Sequence, residues 1–317
     1  MIPRRISFFL GAAFLVVLGI VALIRGSVAP SDFASGATVT IPAGSTLNQT
    51  ADILYSHHII RSTNMYKLYA AILGGRTGVK TGPYAFDKPQ SSLKVAFRTV
   101  NGILGLTLIK VTIIEGSATP SIAKLLGNAI PDFDSAAFLL LAKPHEGYLF
   151  PDTYYFTAAD TATTVMKDMT DNFSQKEKSI SAQFSFFRHS ESDVIKMASI
   201  IEKEATSSVD RRIIAGILWK RLESGMPLQV DPPFYYILNK TSGQLTLDDL
   251  KTISPYNLYI NKGLPPTPID NPGLSAITDA LNPTSTKFWY YLSDNNGVMH
   301  YTTTYDQHLA NKAKYLN

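Results

Sequence analysis

Nine of the chain's 18 prolines fall between Pro227 and Pro283, at positions 227, 232, 233, 255, 265, 266, 268, 272 and 283. Proline removes a backbone donor and locks φ, so no long helix or central strand can form across this stretch. The region must instead be rigid loops and short elements, which is how a scaffold lines a groove. Polar side chains able to hold a hydroxylated ligand sit within it: Gln229, Asp231, Tyr256, Asn257 and Asn271.

The segment before it has the opposite character. In SDVIKMASIIEKEA, residues 192–205, Ser190 or Ser192 suits an N-cap. Val194, Met197, Ala198, Ile201 and Ala205 form one helical apolar stripe. At about 100° per residue, Glu202 falls on one flank with Ile195 and Glu204 on the other with Met197 and Ile200. The two carboxylates point roughly 160° apart and cannot act on one substrate atom together. A carboxyl half-buried against Met197 and Ile200 resists ionisation and suits a general acid near neutral pH. A helix with solvated Glu and Lys would carry the same letters. A second amphipathic helix, Asp210 to Leu222, follows.

Other chemistries lack their signatures. With no cysteine, disulfides, thiolate metal sites and a Cys nucleophile are absent. The six histidines are scattered apart from His57 and His58, and there is no H-E-x-x-H, G-x-S-x-G, Walker loop or dinucleotide fingerprint. No metal or cofactor is expected. A formal net charge of +4 without a basic run argues against nucleic acid as a partner.

At the amino terminus, residues 6–24 are free of charge and long enough to cross a hydrocarbon core of roughly 30 Å. Arg4, Arg5 and Arg25 flank them, and after Arg25 no Lys or Arg appears until Arg61. This asymmetry predicts a cytoplasmic tail, a single-pass anchor over residues 1–26 and an extracytoplasmic remainder. A cleaved signal peptide is the alternative.

Two later segments resemble each other: Thr40-Ile41-Pro42-Ala43-Gly44-Ser45 and Thr112-Ile113-Ile114-Glu115-Gly116-Ser117. Each reads as a strand, a glycine turn and a capped helix. Thr119-Pro120 suits an N-cap before proline. Ser62 caps a further helix through Tyr66 and Tyr69, ended by Gly74-Gly75. Strand plus helices at this scale resembles the LysM carbohydrate-binding module, here over residues 38–131. A small α+β packing domain without a ligand is the alternative. Residues 93–111 show no clear period. From 132 a larger α+β domain is expected to run to residue 317. It would hold helices at Ser135–Ala142 and Ala162–Gln183, and a closing hairpin through Phe288–Leu292 and Val298–Tyr301. His308 sits on a last helix. Glu146 and Tyr148 lie in an aromatic run, EGYLFPDTYYF, whose rings suit either sugar stacking or a core.

Seven segments in order, EGYLFPDTY (146–154), ASIIEKEA (198–205), RLESGMPLQVDP (221–232), SPYNLY (254–259), GLPPTPIDNPG (263–273), ALNP (280–283) and GVMHY (297–301), resemble the YceG-like family of endolytic murein transglycosylases. The resemblance covers nearly the whole chain beyond the apolar segment. It implies a membrane-bound enzyme that cuts peptidoglycan glycan strands internally, beside the cell-wall synthases that polymerise them. It also implies that the catalytic acid is the second glutamate of the E-x-E pair, Glu204, while Gln229, Asp231, Tyr256 and Asn257 match retained positions. Lys220, Pro233, Leu258 and Thr267 depart from the pattern, and these departures touch subsite detail more than the reaction. The implied reaction needs one acid, because the C6 hydroxyl of N-acetylmuramic acid attacks its own anomeric carbon, leaving a 1,6-anhydro end. Two alternatives stand beside it. One is a hydrolase in which Asp231 or Asp152 activates water. The other is an anchored glycan-binding scaffold without catalysis.

Overall fold

The computed structural model describes residues 27–75, 78–238, 240 and 244–316. The expected anchor over residues 6–24 lies outside them. Among the described residues no helix is long and apolar enough to cross a membrane.

The chain divides between residues 107 and 108 into two compact units. In the first, strand β1 (Ala37–Ile41) pairs antiparallel with β2 (Gly82–Phe86), Val39 facing Tyr84. Between them run helices α1 (Leu47–Ser56) and α2 (Thr63–Ile72). Thr46 accepts from the backbone of Gln49, whose side chain returns to Thr46 in a reciprocal cap, and Ser62 caps α2 as its position predicts. Helix α3 (Ser92–Asn101) ends at Gly102. Val39, Ile41, Leu54, Tyr66, Tyr84, Phe86 and Val95 form the core.

The second unit opens on β3 (Ile109–Thr112), paired antiparallel with β4 (Thr153–Phe156). Helices α4 (Thr119–Ala129) and α5 (Ser135–Ala142) lie between them in sequence. Val111, Ile122 and Leu126 share one core with Phe138, Leu149, Phe156 and Met169. Residues 109–130 therefore pack with the elements that follow them, whereas their sequence pattern groups them with the first region. The repeated segments do both form strand, turn and helix. Gly44 and Gly116 occupy the same left-handed conformation, at φ +78° and +73°, which explains the shared glycine.

Three expectations shift in detail. The N-cap of α4 is Ala118 rather than Thr119, with Pro120 in the first turn. The unphased residues 93–111 hold most of α3, a turn and the start of β3. The helix expected from Ala162 to Gln183 is two helices, α6 (Ala162–Glu177) and α7 (Ser181–Phe186), because the chain turns between them to bury Ile180.

Helix α8 (Glu191–Glu204), capped by Ser190, is the axis of the second unit's larger core. The sequence predicts one buried stripe, yet Ile195 and Ile200 are also fully buried, as are Val194, Met197, Ala198 and Ile201. Helices α9 (Ser208–Glu223), α10 (Pro232–Leu238) and α11 (Leu274–Leu281) pack around it. Burying each such side chain contributes about 1.5–3 kcal/mol. As the prolines require, the longest described element between residues 227 and 283 is the eight-residue α11. The chain closes with the hairpin of β5 (Tyr290–Ser293) and β6 (Met299–Thr302), then α12 (Tyr305–Tyr315), which carries His308.

Candidate active site

Glu204 is the last residue of α8, where the helix dipole's negative end disfavours a second negative charge. Burial pushes its carboxyl up to about 8, and the nearby Asp231 adds to the shift. A hydrogen bond from the Tyr291 hydroxyl and the charge of Arg221 act the other way. The residue nevertheless keeps part of its surface accessible, as a proton donor to a bound ligand must. At neutral pH Glu204 is mostly protonated.

Two tyrosines dress the site. Tyr291, on β5, is held well above its ordinary pKa by burial and by Glu204, so its hydroxyl remains a donor. The Tyr259 hydroxyl donates to Asp231 at 2.7 Å and is likewise raised by burial and by Asp231. Asp231 stands at the head of α10, half-buried, and Gln229 lies two residues before it. Gln229 is exposed between the buried Leu228 and Val230, with φ +51° and its backbone N–H donating to the Leu258 carbonyl at 2.9 Å. That bond ties the strained residue to the loop that carries Tyr259.

Glu202 has different partners. It accepts from the backbone N–H of Gly273 at 2.9 Å and lies 3.8 Å from Arg211, which itself pairs with Asp279 at 2.8 Å. Burial raises its pKa, with Glu115 adding to the shift. The divergence expected from helical phase thus becomes a division of labour: Glu202 fastens a loop and Glu204 meets Asp231 and Tyr291.

Glu146 belongs to a second buried cluster. Its carboxylate accepts from the Thr119 N–H at 3.0 Å and from Asn271 at 2.9 Å, and burial pushes it up to about 7. Asn271 is fully buried, and its oxygen accepts from Gly147 and Leu149 while its amide donates to Ser117 and Glu146. Asn257 is equally buried, donating to Leu250 and Thr252 and accepting from Tyr259. Both asparagines hold loops in register. Tyr256 is half-buried, shares a 2.8 Å hydrogen bond with Thr267 and packs its ring on Tyr236. Tyr148 stacks edge-on against Phe173 and bonds Ser192 near the start of α8, about 18 Å along the helix from Glu204.

The structure therefore brings Glu204 and Asp231 together, with Gln229 beside Asp231. Tyr291, Tyr259 and Arg221 are not singled out by the sequence. Tyr259 and Arg221 lie within the matching segments SPYNLY and RLESGMPLQVDP, which is the one signal that could have flagged them. Tyr291 lies in an aromatic run whose letters do not say which ring turns toward Glu204.

The YceG-like family profile matches residues 39–314. The chain belongs to the YceG-like family. It is 30% identical to the endolytic murein transglycosylase of Bacillus subtilis, over 88% of this chain and 84% of the relative. It is 27% identical to that of Streptococcus pneumoniae, again over 88% of this chain but spanning 58% of the relative. The crystal structure of a YceG-like protein from Listeria monocytogenes superposes with a TM-score of 0.59 at 28% identity, covering 87% of this chain and 99% of the other. The mixed α+β architecture is thus that of a YceG-like protein.

Proposed function

We propose that this chain is an endolytic peptidoglycan lytic transglycosylase in which Glu204 is the single general acid and base. The observation that carries the reading is a carboxyl that is mostly protonated at neutral pH, on a residue that is not fully buried, at the end of the segment that matches the family. The relatives' name supplies the substrate class.

Glu204 donates its proton to the oxygen of the MurNAc–GlcNAc bond as that bond breaks, and the GlcNAc leaves as an alcohol. The carboxylate then takes the proton of the muramic C6 hydroxyl as its oxygen bonds to C1. No water is consumed. Attack within one sugar has an effective molarity of about 10⁵ M or more, so no second carboxylate need deliver a nucleophile. Asp231 adds to the burial that keeps Glu204 protonated and offers negative charge to the oxocarbenium-like centre.

The deciding experiment digests purified glycan strands with wild type, Glu204→Gln and Glu202→Gln, with products weighed by mass spectrometry. Wild type yields 1,6-anhydro ends. Glu204→Gln lowers kcat by about 10²–10⁴-fold. Near wild-type turnover in that variant sinks the assignment.

A second reading, hydrolysis with Asp231 activating water, draws on the same Asp231–Glu204 neighbourhood, and it predicts reducing ends that carry an added water. Asp152 gives it no support, being engaged by Asn172, Thr153 and Lys176.

Location is part of the proposal. The uncharged residues 6–24 and their flanking arginines support a single-pass anchor with the catalytic part outside the plasma membrane, close to the cell-wall synthases. Protease treatment of intact spheroplasts should degrade the domain beyond residue 26, and protection would refute this orientation. The first compact unit is the candidate glycan-holding part.

A further inference from the structure

Arg221 sits in the last turn of α9 and is only 4% exposed. Its donors go to main-chain carbonyls. Nε and Nη2 both reach the Trp289 carbonyl, at 2.9 and 2.6 Å, and Nη1 reaches that of Leu228 at 2.5 Å. Trp289 leads directly into β5 and Tyr291. Leu228 leads directly into Gln229 and Asp231. The guanidinium carbon lies 5.2 Å from the ring centroid of Tyr290, which closes it from that side.

We infer that Arg221 is the positioning residue of this site: one planar fork ties the segment that presents Tyr291 to the segment that presents Asp231, on either side of Glu204. The inference rests on the transglycosylase reading. Only Arg has a rigid fork able to serve two carbonyl directions at once. Burying a cation is costly, and here the cost is offset by three hydrogen bonds to main-chain carbonyls. Lys220, the preceding residue, makes the informative contrast. Its ammonium bonds the carbonyls of Thr286 and Phe288 and stands 4.2 Å from the Trp289 ring centroid. It secures the same approach to β5 without reaching Leu228.

The test compares Arg221→Gln, Arg221→Lys and Lys220→Gln in the full-length chain, following anhydro-end formation from glycan strands against pH, with circular dichroism to monitor folding. Glu204 works as an acid, so activity falls as pH rises through its pKa. Arg221→Gln removes a charge that favours the carboxylate, so this alkaline limb moves to higher pH. Arg221→Lys retains charge without the fork, so kcat drops by about 10²-fold while the limb stays in place. KM is unchanged in both, since a side chain this buried touches no strand. Lys220→Gln keeps the wild-type limb and loses less activity than either.

If Arg221→Gln does not fold, Arg221→Lys decides. Wild-type kcat in Arg221→Lys overturns the inference. An unmoved limb in a folded Arg221→Gln does so too, as does an equal loss in Lys220→Gln. Should the wild type itself form no anhydro ends, the transglycosylase reading is what fails, and this inference falls with it.

Discussion

The hydroxyl of Tyr291 donates a hydrogen bond to the carboxyl of Glu204, joining the closing hairpin to the end of the central helix. The bond favours the ionised form of Glu204 and so limits how far burial can raise its pKa. Tyr291→Phe should therefore move the alkaline limb of the pH–rate profile upward and lower kcat, by less than removal of the acid itself. A profile that stays in place, or moves to lower pH, would contradict the bond's role.

Glu204 also ties function to stability. Its folded pKa of about 8 lies above the ordinary glutamate value of 4.5, so between these pH values the folded state binds the extra proton. Unfolding then becomes easier as pH rises, by up to about 5 kcal/mol once the pH exceeds the folded pKa. Glu204→Gln, which cannot ionise, should melt at a higher temperature than wild type at pH 8.5, and the gap should narrow toward pH 5. Parallel melting curves across this range would show that the carboxyl is not held in its acid form.

Gln229 stores strain beside Asp231. A left-handed backbone at a non-glycine residue costs about 1–2 kcal/mol. Gln229→Gly should recover about 1 kcal/mol in denaturant unfolding and at the same time reduce turnover, because the exposed side chain next to Asp231 is lost. Gain in stability with full activity would assign the strain to loop shape alone.

Much of the scaffold is legible locally. Ser62, Ser190 and the glycines at 44 and 116 mark caps and turns through their own backbone preferences, and the prolines keep the elements between 227 and 283 short. The helical pattern of α6 continues past its actual end because Ile180 is buried by turning the chain, a choice made by the core and not by the helix. Likewise, the sequence reads Asn257 and Asn271 as ligand-holding side chains, whereas the structure uses both to fasten loops. Their buried, fully bonded amides depend on partners such as Gly147 and Leu250, which no spacing in their own segments reveals.

Sequence alone determined that Glu202 and Glu204 point apart, since about 100° per residue is a property of any α-helix. It also set which stretch must be loop, because a missing N–H and a locked φ act wherever the chain goes. That Glu204 is kept protonated was decided only in three dimensions. Desolvation and the fields of Asp231, Tyr291 and Arg221 act through space over a few ångströms, and those residues reach Glu204 from the head of α10, from β5 and from α9. Local backbone geometry is written residue by residue; electrostatic environment exists only after distant segments have packed.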